Sequence, residues 1–164
     1  MSFVFDSSAL IYLGKIGLLD RVVLLDGEKI IPKNVYDEVI LEGENRMESE
    51  VSYIKELINK RLFSVKEARL KVNGNLILSK ADKEVLALAK EKKCIAIVDE
   101  SYASSIADSY GIENHGTIYL ILMLLKRKII NKKETISFID KIVEEGFYLS
   151  AGKYKQIAEV INQL

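Results

Sequence analysis

The sequence predicts an α/β fold, a three-layer α/β/α sandwich around a mainly parallel central sheet. Two observations predict it. Short apolar runs of strand length alternate with longer segments whose apolar residues recur at helical spacing, the pattern of repeated strand–helix–strand units. No repeat, low-complexity tract or linker interrupts the 164 residues, so the expectation is one domain spanning residues 1–164.

Phe3-Val4-Phe5 reads as a buried strand, and Asp6-Ser7-Ser8 after it as a helix cap. The helix that follows carries Leu10, Ile11 and Leu13 and breaks near Gly14 or Gly17; Val22–Leu25 fits helix or extended chain equally. Asp26-Gly27 is a turn signal and Lys29-Ile30-Ile31 a second strand. Pro32, the only proline, suits a first helical position, ahead of an apolar face made by Val35, Val39 and Ile40. The polar stretch Glu42–Glu50 is a loop or a helix start. Val51, Ile54, Leu57 and Ile58 have helical spacing, and Leu62–Val65 suits a strand. Asn73-Gly74-Asn75 is a turn. A helix is expected from Lys80, with Ala81, Val85, Leu88 and Ala89 on one side. Ile95–Val98 is the clearest strand, ended by Asp99; Glu100–Tyr110 is helical, with Gly111 at its C-terminal cap. Three more helices are expected, from Gly116, from Asn131 to Glu144, and from Ser150 to Leu164.

Composition narrows the function classes. Hydrophobic residues make up 49% of the chain, ordinary for a globular fold and too many for a disordered one. The 24 basic residues balance 24 acidic ones, which excludes a uniformly basic nucleic-acid coat and leaves only a local phosphate-binding patch. Lys126-Arg127-Lys128 with Lys132-Lys133 is the densest basic stretch. One cysteine, Cys94, permits no intrachain disulfide, and one histidine, His115, permits no histidine-based zinc cluster. No apolar run approaches the ~20 residues of a membrane helix. A cytoplasmic protein is expected. No glycine-rich phosphate loop is present.

In parallel α/β sheets, ligands bind beyond the carboxyl ends of the strands, and Asp6 and Asp99 each follow an apolar strand directly. Taken singly, each is also an ordinary helix cap. Glu38 lies beside the core positions Val35 and Val39, where a glutamate commonly marks the solvent boundary. Asp82 falls in the first turn of its helix, where an acid favours the helix dipole.

The acids gain meaning together with the segments that carry them. Val4-Phe5-Asp6-Ser7-Ser8-Ala9-Leu10-Ile11, Ile31-Pro32 through Val35-Tyr36-Asp37-Glu38-Val39, Ala81-Asp82-Lys83-Glu84 leading to Leu86-Ala87-Leu88-Ala89, Ile97-Val98-Asp99-Glu100 and Gly116-Thr117 occur in this order. In order and spacing they resemble the PIN-domain ribonucleases. In particular they resemble a compact prokaryotic branch whose members look like toxins of type II toxin–antitoxin pairs. The resemblance covers almost the whole chain.

It implies a PIN-like nuclease domain in which Asp6, Glu38, Asp82 and Asp99 hold magnesium, with manganese as a substitute, and hydrolyse single-stranded or looped RNA. It places a supporting hydroxyl on Ser7 or Ser8, and further supporting roles on Glu84, Glu100 and Thr117. Relatives often carry Gly-Glu-x-Glu where this chain has Ala81-Asp82-Lys83-Glu84, so Asp82 and Glu84 compete as the third acid. They also often carry an arginine after the fourth acid, where this chain has Ala103-Ser104-Ser105. The resemblance further implies an RNA substrate, a small antitoxin partner and a homodimer. The alternative from another class is a PIN fold that binds RNA or docks a protein without cleavage. A haloacid-dehalogenase-like phosphatase is disfavoured because Ser7 and Ser8 replace the Asp-x-Asp pair it needs. A receiver domain is disfavoured because no adjacent acid pair follows the first strand.

Overall fold

The computed structural model describes residues 1–72 and 77–164. The turn expected at Asn73-Gly74-Asn75 lies outside the described residues. Five strands form one sheet: β1 (Phe3–Phe5), β2 (Lys29–Pro32), β3 (Ser64–Lys66), β4 (Ile95–Ile97) and β5 (Asn114–His115). Their order is β3-β2-β1-β4-β5, and every pairing is parallel. The central strands β1, β2 and β4 are buried throughout, as continuous apolar runs sandwiched between helices must be.

The helices are α1 (Ser7–Lys15), α2 (Leu19–Val22), α3 (Lys33–Tyr36), α4 (Glu42–Asn45), α5 (Glu50–Asn59), α6 (Lys80–Lys92), α7 (Ser101–Ser109), α8 (Thr117–Lys126), α9 (Lys132–Glu144) and α10 (Ala151–Gln163). The chain steps from β1 to β2 to β3 in one direction across the sheet, then returns and steps from β4 to β5 in the other. Right-handed crossovers therefore put α1 and α5 on one face, and α6 and α7 on the other, while the short α3 at the end of β2 packs against α6. α6 packs on β1, β2 and β4, while α1 is covered by α5 and α9, and α9 in turn by α8 and α10. Among the described residues no helix is long and apolar enough to cross a membrane.

The expected elements form close to their expected bounds, with four differences. Pro32 ends β2 and caps α3 instead of occupying its first turn. The helix after it widens into a π-helical turn over Asp37–Leu41, which carries Glu38. Val22–Leu25, open in the sequence, ends α2 and turns. β5 was not expected: it is two polar residues paired to Ala96 and Ile97 of β4. At the Asp26-Gly27 turn, Gly27 has φ of 92° and a Cβ there would sit 1.7 Å from the Met1 carbonyl oxygen, so only glycine fits. Beside this turn Lys29 is buried, and its ammonium donates to the carbonyls of Val23, Leu25 and Gly27. Three oxygens replace the water it gave up, although burial still lowers its pKa.

Candidate active site

β1 and β4 are neighbours whose onward connections leave in opposite directions. That is the topological switch point of an open parallel sheet, where a crevice opens beyond the strand ends. Asp6 and Asp99 stand at its two lips. Phe5 pairs with Ile97, the Asp6 N–H donates to the Ile97 carbonyl at 3.1 Å, and Asp99 follows two residues on.

Asp6 caps α1: its Oδ1 accepts from the Ala9 N–H at 2.7 Å. Its Oδ2 accepts from the Asp99 N–H at 3.4 Å. The residue is 5% exposed. Burial pushes its pKa up from 3.8 to about 7; the bond from Ala9 opposes the rise, and the negative charges of Asp99 and Asp82 add to it. Asp99 is held by Thr117, whose N–H donates to Oδ1 at 2.7 Å and whose hydroxyl donates to Oδ2 at 2.6 Å. Burial raises the Asp99 pKa against the pull of these two bonds. Gly116, the cap of α8, lies so close that a Cβ on it would stand 2.9 Å from Asp99 Oδ1.

Glu38 is exposed, and its Oε2 accepts from the Ser7 hydroxyl at 2.5 Å. This contact ties the π-helical turn to the residue after Asp6. π-turns of this kind recur at functional sites because they re-aim one side chain. Asp82 forms a capping box with Ser79: the Ser79 Oγ accepts from the Asp82 N–H at 3.0 Å, and Asp82 Oδ2 accepts from the Ser79 N–H and Oγ. Its charge is near enough to raise the pKa of Asp6. Glu84 faces elsewhere. Its Oε2 accepts from the N–H and the side-chain amide of Asn34, both at 2.7 Å, and its Oε1 from the Ala68 N–H at 3.3 Å. It pins α6 to the start of α3 and to the chain after β3. Glu100 is exposed at the cap of α7 and makes no side-chain capping bond there. Ser8 is half-buried.

The donors at this crevice are all hard oxygens. Among the described ion pairs none involves Asp6, Glu38, Asp82 or Asp99. Two carboxylates side by side, one buried and one half-buried, repel unless a proton or a cation lies between them. Among the described residues, however, no three His, Cys, Asp or Glu side chains gather closely enough to ligate one ion. The arrangement fits a cation held directly by one or two carboxylates with water completing its shell, the manner of magnesium, and does not fit a closed four-carboxylate cage. The structure gathers Asp6 and Asp99 as the inner pair and sets Asp82 and Glu38 around them.

The other marked residues take no part in the acid pair. α8 starts at Thr117 and ends at Lys126, so ~15 Å of helix separates the acids from the basic stretch at 126–128. Cys94 is buried, and burial raises its pKa. His115 ends β5 and stacks on Tyr119, ring centroids 3.7 Å apart.

The fold has known counterparts. A PilT N-terminus domain protein from the hyperthermophilic archaeon Sulfolobus solfataricus superposes with a TM-score of 0.54 at 17% identity, over 76% of this chain and 94% of that one. A domain of a functionally unknown protein from Methanocaldococcus jannaschii gives 0.46 at 23% identity, over 70% and 89%. A search of curated protein sequences returned no match. A family model described as a PIN domain matches residues 2–163, and the chain belongs to the PIN-domain family.

Proposed function

We propose that this PIN domain is a magnesium-dependent ribonuclease, with manganese as a substitute ion, acting on single-stranded or looped RNA at the crevice between β1 and β4. The observation that carries the reading is the pair Asp6, buried, and Asp99, half-buried: adjacent, at the sheet's switch point, and without a cationic partner among the described residues. A charge arrangement that destabilises the folded chain is retained where it serves chemistry.

In this reading Asp6 and Asp99 hold the ion and Asp82 supports it from the start of α6. When bound, a divalent ion polarises a phosphodiester oxygen and makes water a better nucleophile. The protein's part is positioning. Ala9 and Thr117 fix the two inner carboxylates by backbone and hydroxyl donors. Glu38, exposed and steadied by Ser7, accepts a proton from the attacking water in this reading; its exposure and its Ser7 contact support the role. Glu84 has its oxygens engaged by Asn34 and Ala68, which favours Asp82 over Glu84 as the third acid.

The test is cleavage of a single-stranded RNA by the wild-type chain with magnesium, with EDTA, and by Asp6→Asn. Cleavage in the first case alone is expected. Cleavage indifferent to both EDTA and Asp6→Asn removes the metal site from the reading, and no cleavage under any divalent ion leaves a PIN fold that binds or docks. A toxin role in the cytoplasm, with a small antitoxin and a homodimer, extends the same reading on the family likeness. A co-purifying short polypeptide that blocks cleavage tests the antitoxin, and sedimentation tests the dimer.

A further inference from the structure

Beside Asp99, on the side toward the end of the chain, a second recess opens. It is a cavity of about 580 Å³ lined by Asp99 and Gly116 at one end and by Tyr119, Phe147, Tyr148 and Lys153 along its length. That volume lies within the range of small-molecule sites. Phe147 packs edge-on against Tyr12, ring centroids 5.2 Å apart, and so anchors the chain between α9 and α10. Its neighbour Tyr148 is left 85% exposed at the cavity wall. A tyrosine with so much ring in water contributes little to the core and is suited to a contact made with something else. Lys153 follows in the first turn of α10; its backbone is fixed by the Ser150 cap, and its side chain is exposed.

We propose that this recess seats an unpaired nucleobase of the RNA strand whose phosphodiester lies at the acid pair, with Tyr148 as the stacking platform and Lys153 paired to a neighbouring phosphate. The inference rests on the ribonuclease reading for the path of the strand, and three observations carry it. Asp99 and Gly116 line one end of the recess, so a strand whose phosphodiester lies at the acid pair passes its mouth. Its wall carries three aromatic rings, Tyr119, Phe147 and Tyr148, among aliphatic side chains, and every base has a face that stacks on an aromatic ring. Its rim carries a cation in a chain of zero net charge, where phosphate binding must be local. A base already paired in a duplex has no free face to offer, so the recess selects single-stranded RNA by shape and tolerates different sequences.

The chain contains no tryptophan, so Tyr148→Trp introduces a unique fluorophore at the platform. The variant is titrated with a short single-stranded oligoribonucleotide in EDTA, and again with the same strand annealed to its complement. Saturable quenching by the single strand is expected, with a much weaker response to the duplex. In parallel, Tyr148→Ala is expected to weaken binding of a dye-labelled single strand by roughly 5- to 100-fold in fluorescence anisotropy, with an unchanged circular dichroism spectrum. Lys153→Ala is expected to flatten the salt dependence of that binding.

Unquenched tryptophan while the strand is bound, equal quenching by strand and duplex, or a Tyr148→Ala affinity equal to wild type each overturns the proposal, as does absence of any RNA binding. The two readings fail separately. Quenching without cleavage under any divalent ion removes the nuclease and keeps the base site. Asp6-dependent cleavage with an unresponsive tryptophan does the reverse.

Discussion

The backbone N–H of Asp99 donates to the carboxylate of Asp6 at 3.4 Å, across 93 residues of sequence. This bond and the one from the Ala9 N–H, both from neutral donors, do not offset the burial of the charge, and the pKa of Asp6 rises to about 7. The sign of the consequence is opposite to that of a salt-bridged aspartate. Between about 3.8 and about 7 the folded chain keeps a proton that the unfolded chain has lost. The unfolded state binds fewer protons there, so stability falls as pH rises through this window and levels off above it. The upper limit of the effect is ~4 kcal/mol. Asp6→Asn removes the charge while its oxygen still accepts from Ala9, but its amide faces the Asp99 N–H, so only part of that limit is recovered. In EDTA the variant is expected to be ~1–3 kcal/mol more stable than wild type at pH 7.5 and no more stable at pH 4. Urea melts at the two pH values measure this; an equal difference at both would show that the charge is not its cause.

A divalent cation at the acid pair competes with that proton. Magnesium is therefore expected to raise the melting temperature of the wild-type chain at pH 7.5 more than at pH 5. At 100 times its dissociation constant the gain is about 2.7 kcal/mol. Asp6→Asn is expected to lose most of the gain. Scanning calorimetry with magnesium against EDTA reads it, and an equal rise in Asp6→Asn would locate the ion elsewhere.

What the sequence carried and what it did not divides along physical lines. Asp6 and Asp99 were visible because each ends an apolar run, and a strand end is a place in the fold as well as in the sequence. The π-helical turn at Asp37–Leu41 was not: Val35, Val39 and Ile40 keep a helical spacing whether or not one residue widens the turn. β5 was missed because Asn114 and His115 are polar and only two residues long, so no alternation exists to read. The Glu84–Asn34 cross-link spans 50 residues, and no local pattern encodes it. The Thr117–Asp99 contact was not legible: the family likeness marked Gly116-Thr117 and gave Thr117 a supporting role, but no local pattern named Asp99 as its partner. The exposed ring of Tyr148 looks in the sequence like any other loop tyrosine.

Asp82 and Glu84 lie two residues apart on α6, on different faces of the helix, and predict different failures. Glu84→Ala leaves the Asn34 and Ala68 N–H groups without their carboxylate and is expected to cost ~2–3 kcal/mol. That corresponds to about 5–10 °C in melting temperature for a chain of this length. Cleavage per folded molecule is expected to stay within about threefold of wild type, since Glu84 points away from the crevice. Asp82→Asn keeps an oxygen for the Ser79 cap and is expected to change stability by less than ~1 kcal/mol while lowering cleavage at least tenfold. Denaturation and cleavage rates measured on both variants separate the roles. A stable, inactive Glu84→Ala would exchange them.

Thr117 is fully buried and gives Asp99 both of its donors, so its hydroxyl acts on the reaction only through the carboxylate it holds. Thr117→Val keeps the shape and the backbone donor but removes the hydroxyl, so Asp99 Oδ2 loses its partner. Supporting donors of this kind are worth about 10–100-fold in metal affinity or activity. That loss is expected as a higher magnesium requirement, partly relieved by raising the ion concentration, with RNA affinity in EDTA unchanged. Thr117→Ser retains the hydroxyl and is expected to recover most of the activity. Gly116→Ala attacks the same carboxylate by crowding: its Cβ would stand 2.9 Å from Asp99 Oδ1, closer than real Cβ contacts allow. It too is expected to raise the magnesium requirement, and the serine rescue at 117 should not extend to it. If Thr117→Val and Thr117→Ser titrate with magnesium identically, the hydroxyl does not position Asp99.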